Sequence, residues 1–145
     1  WMSVHQTALD HQTIANDGLV MSPRMVDAVI GPDLRVQERF DDVEWARALD
    51  ERLAEEMTQM MVANVSSGVA TGARIDGVEV AGKTGTSENG GKPYSLWFTG
   101  FAPANDPQVA VAVVVENGGG KGTSGSGNAI AAPIAKRVME AVLNK

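Results

Sequence analysis

The chain has 145 residues, a formal net charge of −6, 43% hydrophobic residues and no cysteine. The length fits one domain or part of a larger one, and the apolar content is enough for a core. The negative balance argues against nucleic-acid binding, which wants a basic surface; the missing cysteines remove disulfides, thiolate catalysis and Cys-based zinc sites. No apolar run reaches membrane-spanning length, and the longest, Val109 to Val115, suits a buried strand. Neither end carries a signal peptide or targeting sequence. The chain opens Trp1-Met2 and enters a helix almost at once, so it is expected to be a fragment of a longer protein.

In chain order, Ser3-Val4-His5-Gln6 has the form of a capping box, and Val4, Ala8, Leu9 and Ile14 follow at roughly helical spacing. A helix is predicted over 3–16, stopped by Asn16-Asp17-Gly18. After a short extended piece containing Pro23, strands at 24–30 and 34–40 form a small hairpin around Gly31-Pro32-Asp33. Asp41-Asp42-Val43-Glu44 looks like the start of a short helix, and Asp50 like the start of a firm one over 51–65. Leu53, Met57, Met60, Met61 and Val65 give that helix one apolar face. The stretch from Ser66 to Gly77 is a loop. Strands are predicted at 78–86, 96–102 and 109–116, the last apolar on both faces and so central or covered; the short link at 104–107 makes the last two antiparallel. The Gly/Ser-rich stretch 118–127 holds nothing that would pack and reads as a mobile connection. A helix over 129–144, irregular at Pro133, closes the chain. Runs of strands apart from helices indicate an α+β fold, not alternating βαβ units.

The chemistry gathers at Val78-Glu79-Val80-Ala81-Gly82-Lys83-Thr84-Gly85-Thr86. Gly77 to Thr84 spells G-x-x-x-x-G-K-[ST], the phosphate loop. That loop needs a buried strand before its first glycine and a helix beginning at the Lys-Thr, so that backbone N–H groups face the phosphate. Here the preceding residues, 71–76, are not strand-like, and Gly85-Thr86-Ser87-Glu88-Asn89-Gly90-Gly91 cannot begin a stable helix. A nucleotide site is therefore only a remote alternative. On a strand bordering a cleft, Lys83 and Gly85 share one face and Thr84 and Thr86 the other. The lysine offers a point charge for an anionic substrate, and the glycine lets a ligand or backbone come close. Edge N–H groups can pair with an extended peptide or serve as an oxyanion hole. Trp97 and Phe98 point to opposite faces, one to the core and one toward the cleft. His5 and His11 are six residues apart and do not share a helical face, so no metal and no cofactor is expected.

Val80-Ala81-Gly82-Lys83-Thr84-Gly85-Thr86-Ser87-Glu88 resembles the Lys-Thr-Gly strand of penicillin-binding proteins. Trp97-Phe98-Thr99-Gly100-Phe101-Ala102-Pro103 and Val109 to Asn117 resemble the two strands that follow it, and Ala131-Ala132-Pro133-Ile134 the closing helix. Gln12-Thr13-Ile14-Ala15-Asn16-Asp17-Gly18, with Pro23-Arg24-Met25-Val26, is similar to a segment upstream of the motif. The resemblance covers nearly the whole chain and is nearest to class B D,D-transpeptidases of the actinobacterial type.

It implies the C-terminal part of a penicillin-binding transpeptidase domain over 1–145: three antiparallel strands packed with helices, on the extracytoplasmic face of a bacterial membrane. By the same resemblance Lys83 supports proton transfer and charge at the active site. Thr84 and Thr86 hydroxyls, beside Gly85, bind the carboxylate of a stem peptide or a β-lactam, and the Thr86 N–H gives one arm of the oxyanion hole. The family also needs Ser-x-x-Lys and then Ser-x-Asn ahead of this strand. No Ser here has Lys three residues on; Ser87-Glu88-Asn89 and Ser126-Gly127-Asn128 lie after the motif and read as turn chemistry. The isolated chain is accordingly expected to be inactive and, with sheet edge and apolar surface uncovered, to self-associate or swap elements. A cell-wall synthesis complex is the implied setting. A serine β-lactamase-like or non-catalytic penicillin-binding-like module is the alternative.

Overall fold

The computed structural model describes residues 2–144. Helix α1 (Val4–Ala15) opens on the expected capping box: Gln6 N–H donates to Ser3 Oγ at 3.2 Å and Ser3 N–H to Gln6 Oε1 at 2.8 Å. It stops where Asp17 and Gly18 take φ of 52° and 88°. Only glycine fits at 18, because a Cβ there would lie 2.1 Å from the Leu49 carbonyl oxygen.

From that stop the chain leaves as an arm of two nested antiparallel ribbons. β1 (Leu19–Met21) pairs with β4 (Glu44–Arg47), and β2 (Ala28–Ile30) with β3 (Val36–Arg39) farther out. The expected 24–30/34–40 hairpin is present with shorter strands. The short helix expected from Asp42 is absent; that stretch is β4. Ser22 N–H donates to the Val43 carbonyl, and the Asp42 carboxylate holds Arg24 at 3.1 Å, so the acidic pair serves a cross-strand ion pair rather than a helix cap.

Helix α2 (Glu51–Ser66) is capped by Asp50, whose carboxylate accepts from Leu53 N–H at 2.8 Å. Its buried positions are Ala54, Met61 and Val65, with Met57 half-buried; Leu53 and Met60, expected on the apolar face, are exposed at 37% and 64%. The buried line thus runs through Ala54, Met61 and Val65, one position round from Leu53 and Met60.

The main sheet is a meander of β5 (Ala81–Asn89), β6 (Lys92–Ala102) and β7 (Val109–Val115), all antiparallel, with β6 in the middle. β5 begins at Ala81 rather than Val78, because Ile75 and Val78 bridge tightly around Asp76-Gly77. It also runs past its expected end at Thr86 to a two-residue connection, Gly90-Gly91, with φ of 59° and 84°, and β6 begins at Lys92 rather than Leu96. Both residues need left-handed backbone there, which glycine supplies.

Two layers cover this sheet. On one face Ala81 and Phe101 pack with Ile14 and Met61. On the other Phe98, Val80 and Ala102 pack with Val65 and with Ala131, Ala132, Ala135 and Met139 of the closing helix α3 (Ala131–Leu143). α2 reaches both clusters and clamps the β5 end. α3 starts at 131 rather than 129, after a turn in which Gly127 C=O accepts from Ala131 and Ala132 N–H.

The stretch 118–127 is not the loose connection expected. Gly118 and Gly127 are buried, Tyr94 N–H donates to Gly122 C=O at 3.1 Å, and a Cβ on Gly127 would lie 2.3 Å from the Trp97 carbonyl oxygen. It packs through bare backbone, which side-chain patterning does not register.

His11 sits half-buried on α1 with Nδ1–H donating to Thr7 C=O at 3.0 Å. Burial lowers its pKa, against the opposing pull of that carbonyl and of Asp10. The unfolded chain takes up this proton near pH 6.5, the folded chain only at lower pH. The stability is therefore present above that value and lost as pH falls through it. We expect thermal midpoints to drop between pH 7.5 and 5.5, and Glu or Gln controls to separate the cause: His11→Gln should flatten the slope relative to the unmodified chain.

Candidate active-site wall

Lys83 is placed by the packing just before it. Gly82 and Gly100 form a direct cross-strand pair, and the Phe98 ring lies over Gly82 so closely that a Cβ there would come within 2.5 Å of Phe98 Cζ. Phe98 is fully buried. On the same strand Asn64 Nδ2 donates to Gly82 C=O at 2.8 Å, fixing α2 against the residue before the lysine.

With Gly82 on the core face, alternation sends Lys83, Gly85 and Ser87 to the other. The register pairs Lys83 with Thr99, Gly85 with Trp97 and Ser87 with Ser95. These side chains, with Thr84, Thr86 and Asn89 and with Met2 and Thr7 near the start of α1, line an open cleft of about 560 Å³. Phe98 went to the core and Trp97 to the cleft. Thr84 and Thr86 alternate to the opposite side but reach the cleft at its rim, since the outer edge of β5 pairs with no strand among the described residues.

Lys83 is exposed, and its Nζ donates to Thr84 C=O at 2.6 Å. Among the described residues no carboxylate lies within 4.0 Å of it. The cleft thus offers an uncompensated cation, two rim hydroxyls and a bare strand edge, a set suited to an extended anionic peptide. Thr99, 7% exposed, lies on the cleft face beneath Lys83 but spends its hydroxyl on Val111 C=O.

The chain continues as strand from Ala81 through Asn89, so no helix N-terminus follows Lys83-Thr84 and the geometry of a phosphate loop is missing. The two Ser-x-Asn spellings serve connections. Asn89 Nδ2 donates to Pro93 C=O and Ser95 Oγ beside the hairpin turn. Asn128 accepts from Gly72 N–H at 2.7 Å, and Ser126 Oγ accepts from Ala129 N–H ahead of α3. Among the described residues no group of three His, Cys, Asp or Glu could hold a metal ion. Sequence reading missed Thr99, Ser95, Thr7 and Met2 as cleft residues; the first two reach it only because the register shifts between Ser87 and Asn89, which the turn residues do not announce.

An α+β layer with a lysine-bearing edge strand over an open cleft is the arrangement expected from the resemblance to the Lys-Thr-Gly strand of penicillin-binding proteins. The family described as "Penicillin binding protein transpeptidase domain" matches residues 2–140, and the chain belongs to it. It is 42% identical over 144 residues to the peptidoglycan D,D-transpeptidase PbpA of Mycolicibacterium smegmatis, covering 97% of this chain and 29% of that one. The imipenem acyl-enzyme of penicillin-binding protein A from M. tuberculosis superposes with a TM-score of 0.84 at 39% identity, over 98% of this chain and 31% of that structure. The penicillin G acyl-enzyme of the same protein gives 0.83 at 36%, again over 98% and 32%. The chain therefore spans under a third of the length of these relatives.

Gly82→Ala should destabilise the fold by about 1–3 kcal/mol, because the added methyl overpacks Phe98. Urea unfolding followed by far-UV circular dichroism reads this as a lower midpoint with unchanged slope.

Proposed function

We propose that residues 1–145 are the C-terminal part of a serine D,D-transpeptidase domain that cross-links peptidoglycan and is acylated by β-lactams. The observation that carries this reading is the placement of Lys83 and Gly85 on the cleft face of an edge strand, with Thr84 and Thr86 at its rim. The acyl-enzyme complexes solved for a relative at 39% identity support it.

In the intact domain a serine of a Ser-x-x-Lys element, supplied from outside this sequence, attacks the carbonyl of a D-Ala-D-Ala stem. The new C–O bond forms as the C–N bond breaks, and the serine proton passes to the amine of the departing D-Ala. An amine of a neighbouring stem then displaces the serine, which recovers its proton. With a β-lactam the broken C–N bond is in the ring, so nothing departs and the ester persists. Lys83 supplies charge and supports the proton transfer; Thr84 and Thr86 hydroxyls hold the substrate carboxylate; the Thr86 N–H is one arm of the oxyanion hole. The setting is the outer face of the bacterial membrane within a wall-synthesis complex. No helix among the described residues is long and apolar enough to cross a membrane.

Fluorescent penicillin tests this directly. The intact domain should be labelled covalently, Lys83→Ala should cut the acylation rate by about 100-fold or more, and the 145-residue chain alone should remain unlabelled. Labelling of the isolated chain would overturn the reading. The unpaired edge of β7 and the exposed α3 stripe of Ile134, Val138 and Val142 support a second expectation, that the isolated chain self-associates. Light scattering should then give a mass above the 15.2 kDa of one copy.

A further inference from the structure

We infer that Trp97 is a positioning residue, the seat on which the segment carrying Ser-x-x-Lys packs to bring its serine to Lys83. This rests on the transpeptidase reading above. Proton transfer in that reading requires the nucleophile's circuit to come within hydrogen-bond reach of Lys83 Nζ. Only one face of β5 presents Lys83, so the segment has to approach from that face. On it, the Phe101 end of β6 is already covered by Ile14 and Met61. What remains beside Lys83 on that face is the strip formed by Gly85, Trp97 and Ser95, with buried Thr99 at its base.

The polar members of that strip are engaged. Thr99 Oγ1 donates to Val111 C=O, and Ser95 Oγ accepts from Asn89 Nδ2 at 3.2 Å. Trp97, half-buried, is the one large apolar side chain of the strip. Its cross-strand partner Gly85 has no side chain, so only backbone stands beside the ring there, and an added Cβ would already crowd Trp97 Cβ at 3.2 Å. A wide apolar surface next to the catalytic cation, open on the glycine side, fits a packed helix or strand better than a carboxylate-bearing peptide end, which Lys83 and the two threonines serve.

The occupant is in the same polypeptide on two grounds. The sequence holds no Ser-x-x-Lys, and the relatives, of which the chain covers 29–32%, have ample length to supply it. A nucleophile held from one side by Trp97 is placed by packing, and misplacement by a fraction of an ångström is costly to rate while leaving ligand contacts unchanged.

The test uses the intact transpeptidase domain containing this sequence, with stopped-flow acylation by a fluorescent penicillin over a concentration series. Trp97→Ala should lower the acylation rate constant at saturation by about 10-fold or more, with the half-saturating concentration changed less than about 2-fold. Trp97→Phe should recover most of the loss, because it restores the packing surface. If the Ala variant does not fold, Trp97→Leu is read in the same way. A raised half-saturating concentration at unchanged rate constant would assign Trp97 to the ligand surface and overturn the seat, as would a Trp97→Ala enzyme equal to the parent. An unmodified domain that penicillin fails to acylate removes the transpeptidase reading itself and the seat with it, whereas a normally acylated parent with an unaffected Trp97→Ala removes the seat alone.

Discussion

The contact on which the site depends is the Phe98 ring laid over Gly82. It joins β5 to the central strand, fills the layer beneath α3, and admits no side chain at the glycine. Because strand side chains alternate, burying position 82 inward forces Lys83 outward; a slip of one residue would put the lysine in the core and Gly82 in the cleft. Gly100, opposite Gly82, tightens the same junction, since a Cβ there would fall 2.2 Å from the Ala81 carbonyl oxygen. The cleft lysine is thus positioned by a core aromatic and two glycines that lie outside the cleft's lining apart from their backbone junction.

The rest of the fold supports that junction. α2 reaches it from the edge through Val65 and through Asn64, which donates to the Gly82 carbonyl. α3 and the turn before it cover the Phe98 side, and the buried backbone of Gly127 closes against Gly85 and Trp97. α1 covers the other face only toward Phe101, and this partial cover leaves the cleft open beside Lys83. The arm of β1 to β4 stands apart, held by its own ion pairs between Arg24, Arg39, Asp27 and Asp42.

Much of this was legible in the residues. Ser3 and Asp50 announce helix starts because their side chains can take up free N–H groups, and the structure uses both that way. Lys83-Thr84-Gly85-Thr86, with the strands after it, pointed to the family and to the wall of the site. Other features were hidden for physical reasons. Asp41-Asp42 has the composition of a helix start, but a distant Arg24 claims it for a ribbon. The 118–127 stretch lacks side chains to betray its packing. Met60 fits the helical period of α2 yet faces out, because the line buried against the sheet runs through Ala54, Met61 and Val65 and Met60 lies off it.

The register shows most plainly where the two levels part. By itself the sequence determined the main helices and the three-strand meander, since these follow from periodicity, caps and turn residues that act locally, while the family came through the resemblance of the stretch around Lys83 and of its flanking segments. Counting back from Gly90-Gly91 alone would pair Lys83 with Phe98 and turn the lysine into the core. The structure has a bulge between Ser87 and Asn89, with Pro93 and Tyr94 opposite Glu88, which shifts the pairing so that Lys83 meets Thr99. Proline has no N–H to give a ladder and is at home in such a bulge. Only the packed structure decided that shift, because it is the burial of Phe98 against Gly82, a contact across strands, that selects which face the lysine takes.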